Sequence, residues 1–138
     1  MEILDLTSLK KAYNSLIEVI EIYNQNKTNL ITRDSMIQRF EYNYSLAIKI
    51  IKRYFKNSAF VFDNLESMSF NEMIRNANKM GLLLSNLEKW DIYRQKRNLT
   101  SHTYDEKTAN EVVSIIEDFS KEVEYLINKL EEKTKCLD

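Results

Sequence analysis

Apolar residues recur along this chain at steps of three and four. Leu6, Leu9, Tyr13, Leu16, Ile20 and Tyr23 follow a 3,4,3,4,3 pattern, which lines side chains along one stripe of an α-helix. The pattern predicts a first helix ending near Asn24–Asn29. Met36, Phe40, Tyr44, Ala47, Ile51 and Tyr54 form a second stripe, for which Thr32 or Asp34 offers an N-cap. The period lapses over Lys56–Ser67, predicting a loop. Ser69 followed by Glu72 has the form of a capping box and opens a short helix that stops at Gly81, the residue type best suited to a helix C-terminus. Ser85 with Glu88 repeats the box ahead of Leu87, Trp90 and Tyr93 or Arg94. Finally, Ala109, Val112, Ile116, Phe119, Val123, Leu126 and Leu130 step 3,4,3,4,3,4, predicting one last helix of about 26–30 residues, roughly 40–45 Å.

One-sided stripes joined by short connections predict an all-α fold: an antiparallel four-helix up-and-down bundle with an additional short helix. A second set of apolar residues, Ile17, Ile22, Ile37, Ile48, Val113 and Ile115, lies off the main stripes. It reads either as a wide buried face or as a helix-to-helix dimer surface.

Composition sharpens this picture by exclusion. The chain has 138 residues with one glycine, no proline, one cysteine and one histidine. Average usage would supply roughly ten glycines and seven prolines, so a sandwich or barrel with frequent turns is not expected. One glycine cannot supply a dinucleotide fingerprint, a P-loop or a nucleophile elbow. One cysteine excludes an internal disulfide and a thiolate-rich zinc site, and one histidine excludes HExxH. No metal or cofactor is expected. Net charge is −1, so any attraction for nucleic acid must be local. The longest apolar runs, such as Ala59–Phe62, are far short of the ~20 residues that span a bilayer. With no signal-peptide pattern at the N-terminus, the expectation is a cytoplasmic chain with no membrane partner, Cys136 being a reduced thiol near its end.

Chemistry concentrates in Lys96-Arg97-Asn98-Leu99-Thr100-Ser101-His102-Thr103-Tyr104-Asp105. The stretch holds the only histidine and a cluster of small polar residues that compete with helical hydrogen bonding. Cations before it and Asp105 after it suit a helix C-terminus and N-terminus, so one reading is a helix junction and nothing more. The other is a site. On an unbroken helix Arg97 and His102 would diverge by about 140°; they converge only if the helix breaks, or if a second subunit completes the pair. An imidazole can move a proton at a 2′-hydroxyl or leaving 5′-oxygen, and a guanidinium can hold phosphate oxygens as charge builds on them.

Arg97-Asn98-Leu99-Thr100-Ser101-His102-Thr103-Tyr104 resembles the Arg-x4-His-x-Tyr motif of HEPN domains, in particular the small members encoded beside a minimal nucleotidyltransferase and known as nucleotidyltransferase substrate-binding proteins. The likeness continues through Arg39-Phe40-Glu41-Tyr42, Ala47, Lys49, Tyr54, Asn76-Ala77, Gly81-Leu82, Trp90 and Tyr104-Asp105-Glu106. It implies one HEPN-like helical domain over residues 1–138, often paired as a homodimer. It also implies two versions of the function. In one, Arg97 and His102 form a metal-independent ribonuclease site of a toxin, and the nucleotidyltransferase acts as antitoxin by adding AMP to Tyr104. In the other, the protein is a non-catalytic subunit that presents substrate to the nucleotidyltransferase. Gln95 and Lys96 stand where the family pattern favours acidic character; the change either makes the local cleft more basic, favouring RNA, or leaves His102 without its acidic orienting partner, a role open to Asp91 or Glu106. RNA is the implied substrate, with Arg94, Lys96 and Asn98 as substrate-binding candidates.

Around this stretch, Lys89 adds to Arg94, Lys96 and Arg97, and Arg39 and Lys49 are candidate extensions of a phosphate-binding patch that otherwise reads as a solvated helix face. The acids of the last helix, Glu111, Glu117, Asp118, Glu122, Glu124, Glu131 and Glu132, read as mostly its polar side. Met36, Met68, Met73 and Met80 read as core fillers.

Overall fold

The computed structural model describes residues 4–58 and 65–137, with side chains as far as Thr134; Ala59–Phe62 and the Cys136 thiol lie outside the described set. Its helices are α1 (Thr7–Gln25), α2 (Leu30–Asn57), α3 (Phe70–Lys79), α4 (Leu87–Asn98), α5 (Glu106–Val113) and α6 (Ile116–Leu137), with short 3-10 turns at Leu65–Ser67 and Thr100–His102. The architecture is an all-α helical bundle, as the periodicity predicts. Among the described residues no helix is long and apolar enough to cross a membrane.

The 28-residue α2 is the central rod. It packs on α1, α6, α5 and α4, and the short 26–29 connection returns it antiparallel to α1. Polar ties supplement the apolar seam between them: the buried Asn43 amide donates to the Ala12 carbonyl at 2.9 Å, and Arg39 Nη1 to the Ser15 carbonyl at 2.7 Å. Across the α1–α6 seam, the Tyr13 hydroxyl donates to Glu124 at 2.8 Å and Lys10 pairs with Glu131 at 2.6 Å. Burial, with the carboxylate, pushes the Tyr13 phenol up to about 12.

An aromatic cluster locks α4 onto α2 and α6. Phe119 meets Phe40 and Tyr93 edge-on, each at 5.1 Å between ring centroids, and Trp90 meets Tyr93 at 5.5 Å. Trp90, Phe40 and Phe119 are completely buried, and edge-to-face contacts add about 0.5–1.5 kcal/mol per pair beyond the burial itself. Most of the off-stripe residues join the core: Ile37 is buried, and Ile17, Ile48, Val113 and Ile115 pack partly against it. Ile22 remains 49% exposed. Met36 and Met73 are core residues, while Met68 and Met80 border it.

Several boundaries differ from the sequence expectation. The N-cap of α2 is Asn29, not Thr32 or Asp34; its side chain accepts from the Ile31 and Thr32 amides at 3.0 and 3.1 Å. Leu30 and Ile31 open the helix exposed, so the first turn carries no apolar stripe. At the other end α2 continues through Asn57, into the stretch expected to be loop. Ser69 caps α3 as expected, accepting from the Glu72 amide, and Gly81 ends it with φ +75°. The Leu82 and Gly81 amides donate back to Ala77 and Asn78 at 3.0 Å, the paired bonds of a Schellman turn. The N-cap of α4 is Asn86 rather than Ser85, because Ser85 faces the Glu122 carboxylate.

The last rod is two helices, not one. The Ser114 hydroxyl donates to the Glu111 carbonyl at 2.6 Å, and the Ile115 amide turns to Val112 at 3.3 Å. This tightening, one residue short of the α-helical bond, interrupts the ladder between α5 and α6. Nor do all the acids of α6 face solvent. Glu122 is buried at 1% exposure, with the Ser85 hydroxyl and amide, the Trp90 indole N–H and the Leu84 amide around its carboxylate, although none completes a hydrogen bond of ordinary geometry to either oxygen.

Candidate functional site

The helix breaks between Arg97 and His102. After Asn98 the Leu99 amide bonds to the Lys96 carbonyl at 3.1 Å, and His102 bonds to Leu99 at 2.9 Å, forming the 3-10 turn. Threonine hydroxyls take the carbonyls that a continuing helix would have used: Thr100 approaches the Arg97 carbonyl at 2.8 Å and Thr103 the Thr100 carbonyl at 3.2 Å. Asp105 then caps α5, accepting from the Lys107 amide at 3.2 Å and the Thr108 hydroxyl at 3.3 Å. The first residue of α5, Glu106, receives Arg33 Nη1 at 2.7 Å. Arg33 is buried near the start of α2, so the junction is anchored at its far end to the central rod.

Arg97 is half-buried and His102 exposed, and no hydrogen bond joins them. Arg97 instead turns toward α2, its Nη1 lying 3.8 Å from Glu41 Oε2. The same carboxylate oxygen accepts from the Thr100 hydroxyl at 2.9 Å. Glu41 is therefore the acid beside the motif arginine. Asp91 and Glu106 are engaged elsewhere, with Gln95 at 3.0 Å and with Arg33. Glu41 lies within the stretch that carries the family likeness, but no periodic signal links it to a residue on another helix.

His102 presents its ring edge-on to Tyr104, with centroids 6.2 Å apart. Tyr104 is 87% exposed, the extreme among the exposed large hydrophobic side chains.

The basic patch is narrower than the sequence suggests. Lys89 is tied to Asp118 of α6 at 3.0 Å and Arg39 to α1, while Lys49 lines a separate small pocket with Asp5 and Arg53. Arg94, Arg97 and Asn98 do come together, at one side of an open pocket of about 410 Å3 whose other side includes Tyr44 and Phe70. Lys96, half-buried in the last turn of α4, is not among its lining residues. Burial pushes the Tyr44 phenol up to about 12, against the opposing pull of Arg94 and Arg97. These pocket residues come from three helices, which is why the motif alone does not reveal them.

Comparison with known proteins agrees with the fold and with the family likeness. The family model described as nucleotidyltransferase substrate binding protein like matches residues 4–132. A Haemophilus influenzae protein named probable ribonuclease HepT is 34% identical over 140 residues, covering 96% of this chain and 95% of that protein. A solved Haemophilus influenzae structure, described as the fold of a substrate binding domain of a nucleotidyltransferase, superposes with a TM-score of 0.84 at 31% identity, over 92% of this chain and 99% of the other. A crystal structure from Thermus thermophilus gives a TM-score of 0.67 at 26% identity, over 86% and 98%.

Proposed function

Because the chain belongs to the nucleotidyltransferase substrate binding protein like family, we propose that it is the RNA-cleaving, toxin-like partner of a minimal nucleotidyltransferase, acting as a homodimer through Arg97 and His102. The observation that carries the reading is the break after α4, which sets an exposed imidazole and a cation at one junction in a chain 34% identical to a protein named probable ribonuclease.

In this mechanism an RNA phosphate displaces Glu41 from Arg97, and the guanidinium holds the non-bridging oxygens. His102 of one protomer removes the 2′-hydroxyl proton, and the 2′-oxygen attacks phosphorus. The 5′-oxygen leaves with the proton that this imidazolium returns, yielding a 2′,3′-cyclic phosphate and a 5′-hydroxyl, while Arg97 of the other protomer faces the same phosphate across the two-fold axis. Two side chains carry out the proton transfers and charge stabilisation, so the reaction is metal-independent. The nucleotidyltransferase restrains it: the Tyr104 hydroxyl attacks the α-phosphorus of ATP, pyrophosphate leaves, and the added phosphate sits beside His102 and blocks RNA entry. The 87% exposure of Tyr104 supports its role as acceptor.

Arg97→Ala and His102→Ala are each expected to lower RNA cleavage by about 100-fold or more and to relieve growth arrest at equal abundance, with cleavage by the parent persisting in EDTA. Unchanged toxicity in both variants overturns the site. Mass spectrometry after incubation with partner and ATP is expected to show added AMP that Tyr104→Phe abolishes. The family description and the solved relative also favour a second reading, a non-catalytic substrate-binding subunit; that reading predicts complex formation with the nucleotidyltransferase and no RNA cleavage at any protein concentration.

A further inference from the structure

The pocket beside Arg97 has two chemically different sides. Tyr44 and Ile48 of α2 and Phe70 of α3 contribute aromatic and aliphatic lining, while Arg94, Arg97 and Asn98 of α4 contribute cationic and amide groups. Its volume of about 410 Å3 falls in the lower part of the range for small-ligand sites, roughly 300–1,000 Å3.

Arg94 is the informative residue. Its guanidinium stands 4.8 Å above the Phe70 ring centroid, and among the described residues it has no ion-pair partner. An exposed arginine that rests on a ring leaves one planar face open for stacking and its charge free for an anion. Asn98, also exposed, offers a donor and an acceptor within one amide, the pairing that reads a base edge. Arg97 belongs both to this lining and to the motif, so a strand whose phosphate is held there has its neighbouring nucleotide over the pocket.

We propose that the pocket between α2, α3 and α4 is a nucleobase subsite for single-stranded RNA, stacking the base of a nucleotide next to the phosphate held by Arg97. The proposal rests on the ribonuclease reading for the identity of that phosphate. It adds that the protein grips a base as well as the backbone, so that duplex RNA, whose bases are stacked on each other, is a poor ligand.

The test uses the full chain and short 2′-O-methyl RNA hexamers, which lack the attacking hydroxyl. A fluorescent hexamer is compared with versions in which one abasic residue is moved along the strand. One abasic position is expected to weaken binding about tenfold, the scale of a lost base stack. Arg94→Ala and Ser45→Trp, both at exposed positions lining the pocket, are expected to remove that difference with circular dichroism unchanged. A parent protein indifferent to every abasic position overturns the subsite, as does a preference that survives in both variants. Cleavage of unmodified RNA is measured in parallel. His102-dependent cleavage without base preference sinks the subsite alone, base preference without cleavage sinks the ribonuclease reading alone, and no binding of any hexamer sinks both.

Discussion

Glu122 is the residue whose environment departs furthest from its chemistry. Burial pushes its carboxyl above the ordinary value of 4.5, against the pull of the Ser85, Trp90 and Leu84 donors. Between 4.5 and the raised folded value, the folded chain holds a proton that the unfolded chain has lost. This contribution to stability is complete below 4.5 and disappears as pH rises through the folded value, above which the ionised group is a constant cost. Glu122→Gln does not titrate, so thermal melts are expected to favour the variant increasingly as pH rises above 4.5 and through the raised folded value. A variant that loses ground over that range would mean that the ionised carboxylate is stabilising. Sequence contained a clue to this burial: Ile115, Phe119, Glu122 and Leu126 step 4,3,4, which puts the acid on an apolar stripe. Glu41 had no such clue, because its partners Arg97 and Thr100 are brought to it only by the packing of α4 on α2.

At the scale of elements, the helix order and the faces they bury were legible because burial imposes a period that survives local irregularity. Ala109, Val112, Ile116 and Phe119 are all fully buried although the helix is interrupted at Ser114 and Ile115, since a brief tightening leaves the stripe facing the same way. That is also why the interruption itself was invisible. Caps were less legible because several short polar side chains compete for the same amides: Asn29 prevailed over Thr32 and Asp34, and Asn86 over a serine turned toward the core. Gly81 was legible in position and in reason. A Cβ there would meet nothing within 4 Å, but φ is +75°, so Gly81→Ala bears a backbone cost alone, about 1 kcal/mol. A urea titration is expected to show a lower midpoint with unchanged slope; a changed slope would indicate that the end of α3 also shapes the unfolded ensemble.

For the whole molecule, the proposed mechanism has two copies build one site. Arg97 and His102 face different neighbours within a chain, and in the proposed two-fold arrangement each protomer would complete the other. Mixing inactive Arg97→Ala and His102→Ala proteins under conditions of subunit exchange is therefore expected to restore a fraction of cleavage, since the mixed pair holds one intact copy of each side chain. Sedimentation as a dimer with no recovery after exchange would confine each site to one chain. Independent of that outcome, the side chains that hold the α4–α5 junction in position, Trp90, Tyr93, Phe119 and the Arg33–Glu106 pair, are distinct from Arg97, His102 and Tyr104. On the ribonuclease reading, selection for a well-folded chain is accordingly blind to the decay of catalysis. A lineage can shed its imidazole in a single step and keep an intact body for its partner to recognise, so silent descendants of an active ancestor should accumulate beside working ones.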